Sequence, residues 1–374
     1  MKVSRVFGSV MLCAVVQATP ALAAPTMIRL GYADCSACHV SPQGGGLLTS
    51  YGRGVDVAQS ARARELPPSD ADTRRYLYDV RLVAVGQDVR ALASHSSTVS
   101  STFQVQLRNS MRLGDHNRLT YTFGLSSATL PISSTQTGGS VQVVVPKAIW
   151  EFRPKEGVEL SVGREELPTG LGLPDPQAYM RKGTDPGNTV YPTQIKAFIY
   201  THRLQLAPFV FGPGGDETDP RLEQWGVGTL AGVDVWKHRA IVGVSLLDSK
   251  SDAFDRRSVG AYTRLGFGRW GIMAQHELTG RSSTAASPLT TQYISGHTQV
   301  FFAAKEWLVT SLGAEELAVD GVTRSRAYRF APGVQLRASE NLTVSFTMRD
   351  AFTGATTAGR ARTFSVLVAV KTVD

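Results

Sequence analysis

Five consecutive residues, Cys35-Ser36-Ala37-Cys38-His39, hold the residue types best suited to chemistry in this sequence. Two thiols three positions apart can each form a thioether to one vinyl group of a porphyrin. The imidazole that follows can then reach the iron, so the spacing is that of covalent c-type haem attachment. Two other chemistries use the same groups. A Cys-x-x-Cys redox disulfide should open a helix in an alternating strand and helix pattern, but Val40-Ser41-Pro42-Gln43-Gly44-Gly45-Gly46 follows here and opposes a helix. A structural zinc site needs a fourth ligand, and no further Cys or His follows at close spacing. The expected cofactor is therefore one covalent haem c, with His39 as proximal ligand.

Residues near the motif supply candidate partners for that group. Gly44 to Gly54 combines backbone freedom with Tyr51 and Arg53, which can cover a haem edge or pair with a propionate; a flexible turn with solvated charges is the plainer alternative. For the second axial position the candidates are Met27, a luminal His297 or Met273, and water. The choice matters because a methionine ligand raises the reduction potential relative to histidine.

The surrounding chain must export and position this motif. Lys2 and Arg5, the apolar run Val6 to Val16, and Ala21-Leu22-Ala23 read as a signal peptide over 1–23, which removes Cys13 and leaves both remaining cysteines to the haem. Residues 24–75 form the haem-bearing segment and linker, too small for a large core, with a short helix expected within 56–75. After the leader no run reaches the eighteen apolar residues of a spanning helix. The formal charge of +8 is spread rather than clustered, which argues against a nucleic-acid partner.

From 76 to 374 the periodicity is that of strands. Phe103, Val105 and Leu107 alternate with Gln104, Gln106 and Arg108, and Leu342, Val344, Phe346 and Met348 alternate with Thr343, Ser345, Thr347 and Arg349. Sixteen such segments are expected between 79 and 371. Short turns follow the even-numbered ones, as at Asp115-His116, Lys237-His238 and Ser339-Glu340. Polar loops such as 128–140, 167–192, 213–223, 249–256 and 280–290 follow odd-numbered ones. Tight turns on one rim and longer loops on the other are the habit of an outer-membrane barrel, so the fold class is all-β: a closed antiparallel barrel of about sixteen strands. An even count places both termini on the periplasmic rim. The chain ends Lys371-Thr372-Val373-Asp374 rather than on the aromatic residue common in such barrels.

With apolar residues facing lipid, Arg108, Arg112, Arg264, Arg329 and Arg349 face the lumen beside Gln104, Gln106, Glu151, Glu159, Tyr262, Gln275 and Glu277. Such an interior can neutralise propionates or admit small anions; a hydrated wall of mutually paired charges is the plainer alternative. The longest loop, Pro168 to Pro192 with Met180, is expected to fold into the mouth as a constriction. His116 and His238 fall at turns.

A haem motif preceding a single barrel resembles the fused monohaem cytochrome-porins of the bacterial outer membrane, whose best known members oxidise iron. Cys35, Cys38 and His39 match the attachment motif of that family residue for residue. The resemblance implies electron passage across the outer membrane, coupled to extracellular metal oxidation or reduction, with the haem segment in or under the barrel. The partners expected are a soluble periplasmic cytochrome, an extracellular electron donor or acceptor, and the lipid of the membrane. A passive porin whose haem segment serves as plug, gate or sensor is the alternative.

Overall fold

The computed structural model describes residues 25–32, 35–41, 47–63, 75–91, 96–126, 142–171, 191–201, 203–214, 223–284, 289–321, 324–353 and 360–372. The expected leader with Cys13, glycines 44–46, linker residues 64–74 and Met180 lie outside the described residues.

Alternating sequence makes alternating strands. The first eight are β1 (Tyr76–Ala91), β2 (Ser96–Arg112), β3 (Asn117–Ser126), β4 (Gln142–Lys155), β5 (Val158–Arg164), β6 (Thr193–Tyr200), β7 (Leu204–Gly212) and β8 (Trp225–Asp234). The second eight are β9 (Ala240–Lys250), β10 (Phe254–Phe267), β11 (Trp270–Ser283), β12 (Thr290–Lys305), β13 (Leu308–Asp320), β14 (Arg324–Arg337), β15 (Leu342–Thr353) and β16 (Arg360–Lys371). Each pairs antiparallel with its neighbours in sequence, and β1 pairs with β16 from Arg81–Lys371 to Ala91–Ala361, closing the barrel. Closure leaves no sheet edge, which is the condition for strands to stand in hydrocarbon.

Register sorts the two faces. Phe103, Leu107, Phe123 and Phe346 are exposed on the outer wall, whereas Gln104, Thr120, Glu151 and Gln275 are buried toward the lumen. Residues opposite one another share a face, so Arg118, Glu151, Ser161 and Lys196 make one luminal row across β3, β4, β5 and β6. All the luminal parities expected from sequence hold, including those of His297 and Met273. Near the short-turn rim Trp150 stacks on Phe152 and Trp270 packs on Phe302, an aromatic girdle of the kind that marks a membrane interface. No helix among the described residues is long and apolar enough to cross a membrane.

Turns after even-numbered strands are short throughout. After odd-numbered strands the connections are uneven: β9–β10 spans only 251–253 and β13–β14 only 321–323. Where sequence suggested loop at 249–256, the strands run on, because Ser249 and Arg256 are luminal residues paired across the ladder and buried. The first described part of the long loop after β5 turns inward. Leu171 packs on the luminal cluster of Phe198, Tyr262 and Met273, its amide donates to Gln275 Oε1 at 2.7 Å, and its carbonyl accepts from Arg264 Nη2 at 3.2 Å.

The N-terminal segment has two 3-10 turns, Pro25–Leu30 and Cys35–Ala37, and one helix, α1 (Ser50–Ala58). That helix starts before the expected 56–75. Gly52 and Gly54 lower its intrinsic propensity, yet Thr49 caps it by accepting from Gly52 N at 3.0 Å. Rather than hanging beneath the barrel, the segment enters it. Ile28 sits at 3% exposure in the luminal cluster with Leu171, Ile241, Phe301 and Val309. Gly266 on β10 makes this approach feasible, since a Cβ there would lie 2.4 Å from the Ile28 carbonyl oxygen.

Candidate functional site

The Cys35–His39 motif is one tight turn: Cys38 N and His39 N both donate to the Cys35 carbonyl, at 3.2 and 2.9 Å. The returning chain clasps it. Val40 N donates to Leu47 O and Thr49 N to Cys38 O, both at 3.0 Å, and the first turn of α1 lies directly on the motif. Gly52 is required there, because a Cβ would meet the Cys38 carbonyl oxygen at 2.1 Å. No disulfide joins Cys35 and Cys38. Burial pushes the Cys38 thiol up, with further contributions from Cys35 and Asp56.

A cavity of about 880 Å³, counting its open mouth, lies between this segment and the barrel wall. Met27, Cys38 and His39 line it from the segment, with Val55 and Asp56 from α1. The wall contributes Arg81, Arg108, Arg337 and Lys371, from strands as far apart in sequence as β1 and β16. Arg108 makes a two-point ion pair with Asp79, Nε to Oδ1 at 2.6 Å, and Lys371 pairs with Asp56.

The structure thus brings Met27, Cys38 and His39 to one cavity. Cys35 belongs to the same turn without lining it. Tyr51 and Arg53 lie on α1 away from the lining: Tyr51 is exposed and its hydroxyl hydrogen-bonds that of Tyr32, which is pushed up to about 12 chiefly by that bond. His297 is buried on β12 beside Glu315, its Nδ1 3.5 Å from the carboxylate, and Met273 belongs to the same luminal cluster as Ile28; neither lines the cavity. His116 Nδ1 contacts Arg153 O at 2.8 Å, and His238 pairs with Asp234 at 2.7 Å, both at turns. Arg81, Arg337 and Lys371 are lining residues that no local spacing in sequence announces.

Five groups of the barrel hold the segment in place. Arg153 Nη2 and Arg118 Nη1 donate to the Val40 carbonyl at 2.6 and 3.4 Å, and Lys147 Nζ donates to Ser41 Oγ at 3.2 Å. Arg29, buried, donates to Gln59 Oε1 at 2.7 Å and pairs with Glu306 in the β12–β13 turn, which depresses the Glu306 carboxyl chiefly through that hydrogen bond. Ala61 N donates to Arg337 O at 2.8 Å.

The donor set fits a covalent haem: two thiols in one turn, an imidazole and a thioether on one cavity, and a basic wall opposite them. No protein-family model and no curated protein matches the chain. Among solved structures it is similar to a loop-deletion mutant of OmpT from Vibrio cholerae, at a TM-score of 0.61 and 11% identity over 79% of this chain and 99% of that one. The outer membrane channel DcaP of Acinetobacter baumannii gives a TM-score of 0.59 at 10% identity, covering 79% and 97%. An anion-selective porin from Comamonas acidovorans gives 0.55 at 9%, covering 79% and 99%. At these identities the likeness is one of fold: the barrel is that of outer-membrane porins.

Proposed function

We propose that this chain is an outer-membrane electron-transfer protein, a porin-type barrel carrying one covalent c-type haem in the cavity at its short-turn rim. The observation that carries the reading is the meeting of Met27, Cys38 and His39 on one open cavity walled by Arg81, Arg108, Arg337 and Lys371. Cys35 and Cys38 would provide the thioethers, His39 the proximal nitrogen and Met27 the distal sulfur. Four basic residues against Asp56 and Glu340 leave the lining net positive, which favours an anionic group such as a propionate. A bound c-type haem supplies one-electron chemistry. The chain's own part is to exclude bulk water with Val55 and the Val40, Leu47 and Leu77 cluster, and to hold the motif fixed against the wall.

In this reading the short turns face the periplasm, where a soluble cytochrome meets the haem, and an extracellular electron donor or acceptor, such as a metal species, is served from the other rim. The test is a haem stain and Soret spectrum of the outer-membrane fraction from a host competent in c-type maturation. Covalent haem is expected in the native chain and absent from Cys35→Ala and Cys38→Ala, with barrel assembly retained; a native chain without Soret absorbance ends the proposal.

Likeness to porins favours a second reading, in which the segment only plugs or gates solute flow. Liposomes enclosing an oxidant and exposed to an external reductant separate the two. Oxidation of the external reductant through the protein supports electron transfer, and haem cycling without transmembrane current leaves the plug.

A further inference from the structure

The outer wall carries charge where β15, β16 and β1 approach the long-loop rim. Arg90 and Arg362 stand directly opposite one another across the β1–β16 ladder, and Arg360 lies two residues along on the same outward face. Arg90 and Arg360 flank the connections 92–95 and 354–359, so the cluster sits at the end of the strands. Two carboxylates answer three guanidinium groups. Asp88 accepts from Arg90 Nε at 2.8 Å, while Asp350 takes both Arg360 Nη2 at 2.8 Å and Arg362 Nη2 at 2.7 Å. One positive charge is left over, and Arg362 Nε is buried with no hydrogen-bond partner.

Like charges opposed across a ladder are destabilising unless an anion lies between them. A charged group on a lipid-facing wall also belongs at headgroup depth, where its cost falls from about 2–4 kcal/mol at the midplane to about 0–1. The apolar wall below fits acyl chains. Phe330, Phe346, Phe364 and Val366 are exposed on the same face, and Arg90 lies over the Phe364 ring at 5.4 Å.

We propose that Arg90, Arg360 and Arg362 bind the phosphate of a membrane lipid whose headgroup is net anionic, with its acyl chains lying along Phe364 and Phe346. Guanidinium groups pair readily with phosphate, and the Arg90 side chain, with Nε and Nη2 on Asp88 Oδ2, is still 57% exposed and presents its remaining edge to lipid. A free anion would have no use for the aromatic band beneath.

The test titrates the full-length chain in mild detergent with diphosphoryl lipid A and reads bound lipid by native mass spectrometry. Phosphatidylcholine and inorganic phosphate serve as competitors. The expected result is a lipid A adduct that neither competitor displaces, with at least about tenfold weaker binding in the R90Q/R360Q/R362Q triple variant. Undiminished binding by that variant overturns the proposal, as does displacement by inorganic phosphate, which shows an anion site without lipid selection. Disulfide trapping of a second copy through Phe330→Cys overturns it too, by giving the face a protein occupant. Heat-modifiable migration checks assembly. If the triple variant fails to assemble, Arg362→Lys alone is read, which keeps the charge but loses the fork; it should bind severalfold less, and no change overturns the proposal.

Discussion

Gly52→Ala is the substitution that most sharply tests how the motif is held. In the middle of a helix the exchange should gain about 1 kcal/mol of propensity. Here the new Cβ would lie 2.1 Å from the Cys38 carbonyl oxygen and 2.8 Å from its carbon, and these are backbone atoms that cannot swing aside. Relief requires α1 to lift from the motif turn, stretching the 3.0 Å bond from Thr49 N to Cys38 O and disturbing the cap on Gly52 N. Overpacking of this kind costs about 1–3 kcal/mol and a weakened hydrogen bond about 1 more, so the net loss is about 2 kcal/mol. Gly54→Ala is the internal control, because a Cβ there meets nothing within 4 Å. Native-state hydrogen exchange at the Thr49 and Gly52 amides reads the difference directly. Opening should be about thirtyfold easier in Gly52→Ala and severalfold harder in Gly54→Ala. In a maturing host, haem content per assembled barrel should fall only for Gly52→Ala. Equal protection in the two variants would refute the close packing of α1 on the motif.

Three further outcomes follow from the geometry. Glu306 has its carboxyl depressed by Arg29, so its contribution to anchoring is complete above the ordinary carboxylate range and lost as pH falls through the lowered value; limited proteolysis of the segment should accelerate on acidification, and in Glu306→Gln it should be fast at neutral pH and insensitive to acid. Asp79→Asn leaves Arg108 without its two-point partner in a nearly enclosed place and should cost about 1–3 kcal/mol, read as a lower midpoint of thermal barrel unfolding, with an unchanged midpoint as the contrary result. Met27→His should lower the haem reduction potential in a redox titration if the residue at 27 binds the iron, and an unmoved potential removes Met27 from that role.

The barrel was legible because lipid on one side and water on the other impose a period of two, and residues such as Phe103, Val105 and Leu107 obey it with polar residues between them. The same rule placed Arg108, Glu151 and His297 in the lumen. It failed at 249–256, where inward-facing polar residues at the strand ends look like loop, since Ser249 and Arg256 are buried by luminal neighbours that no local pattern reveals. The earlier start of the helix was hidden for an opposite reason: Gly52 and Gly54 argue against helix by propensity, while the need for Gly52 arises from contact with Cys38, a tertiary fact. Spacing alone marked Cys35, Cys38 and His39. The basic wall around them was invisible, because Arg81 and Lys371 become neighbours only when β1 meets β16.

That seam orders the making of the molecule. The segment before β1 is tied to Lys371 at the end of β16 and to the Arg337 carbonyl on β14, so two of its fastenings do not exist until nearly the whole polypeptide has been threaded into the sheet. Asp56 and Ala61 are therefore the last of the segment to be secured, after Val40 and Ser41 have met β3 and β4, and a truncation that removes the final hairpin unlatches Asp56, more than three hundred positions upstream.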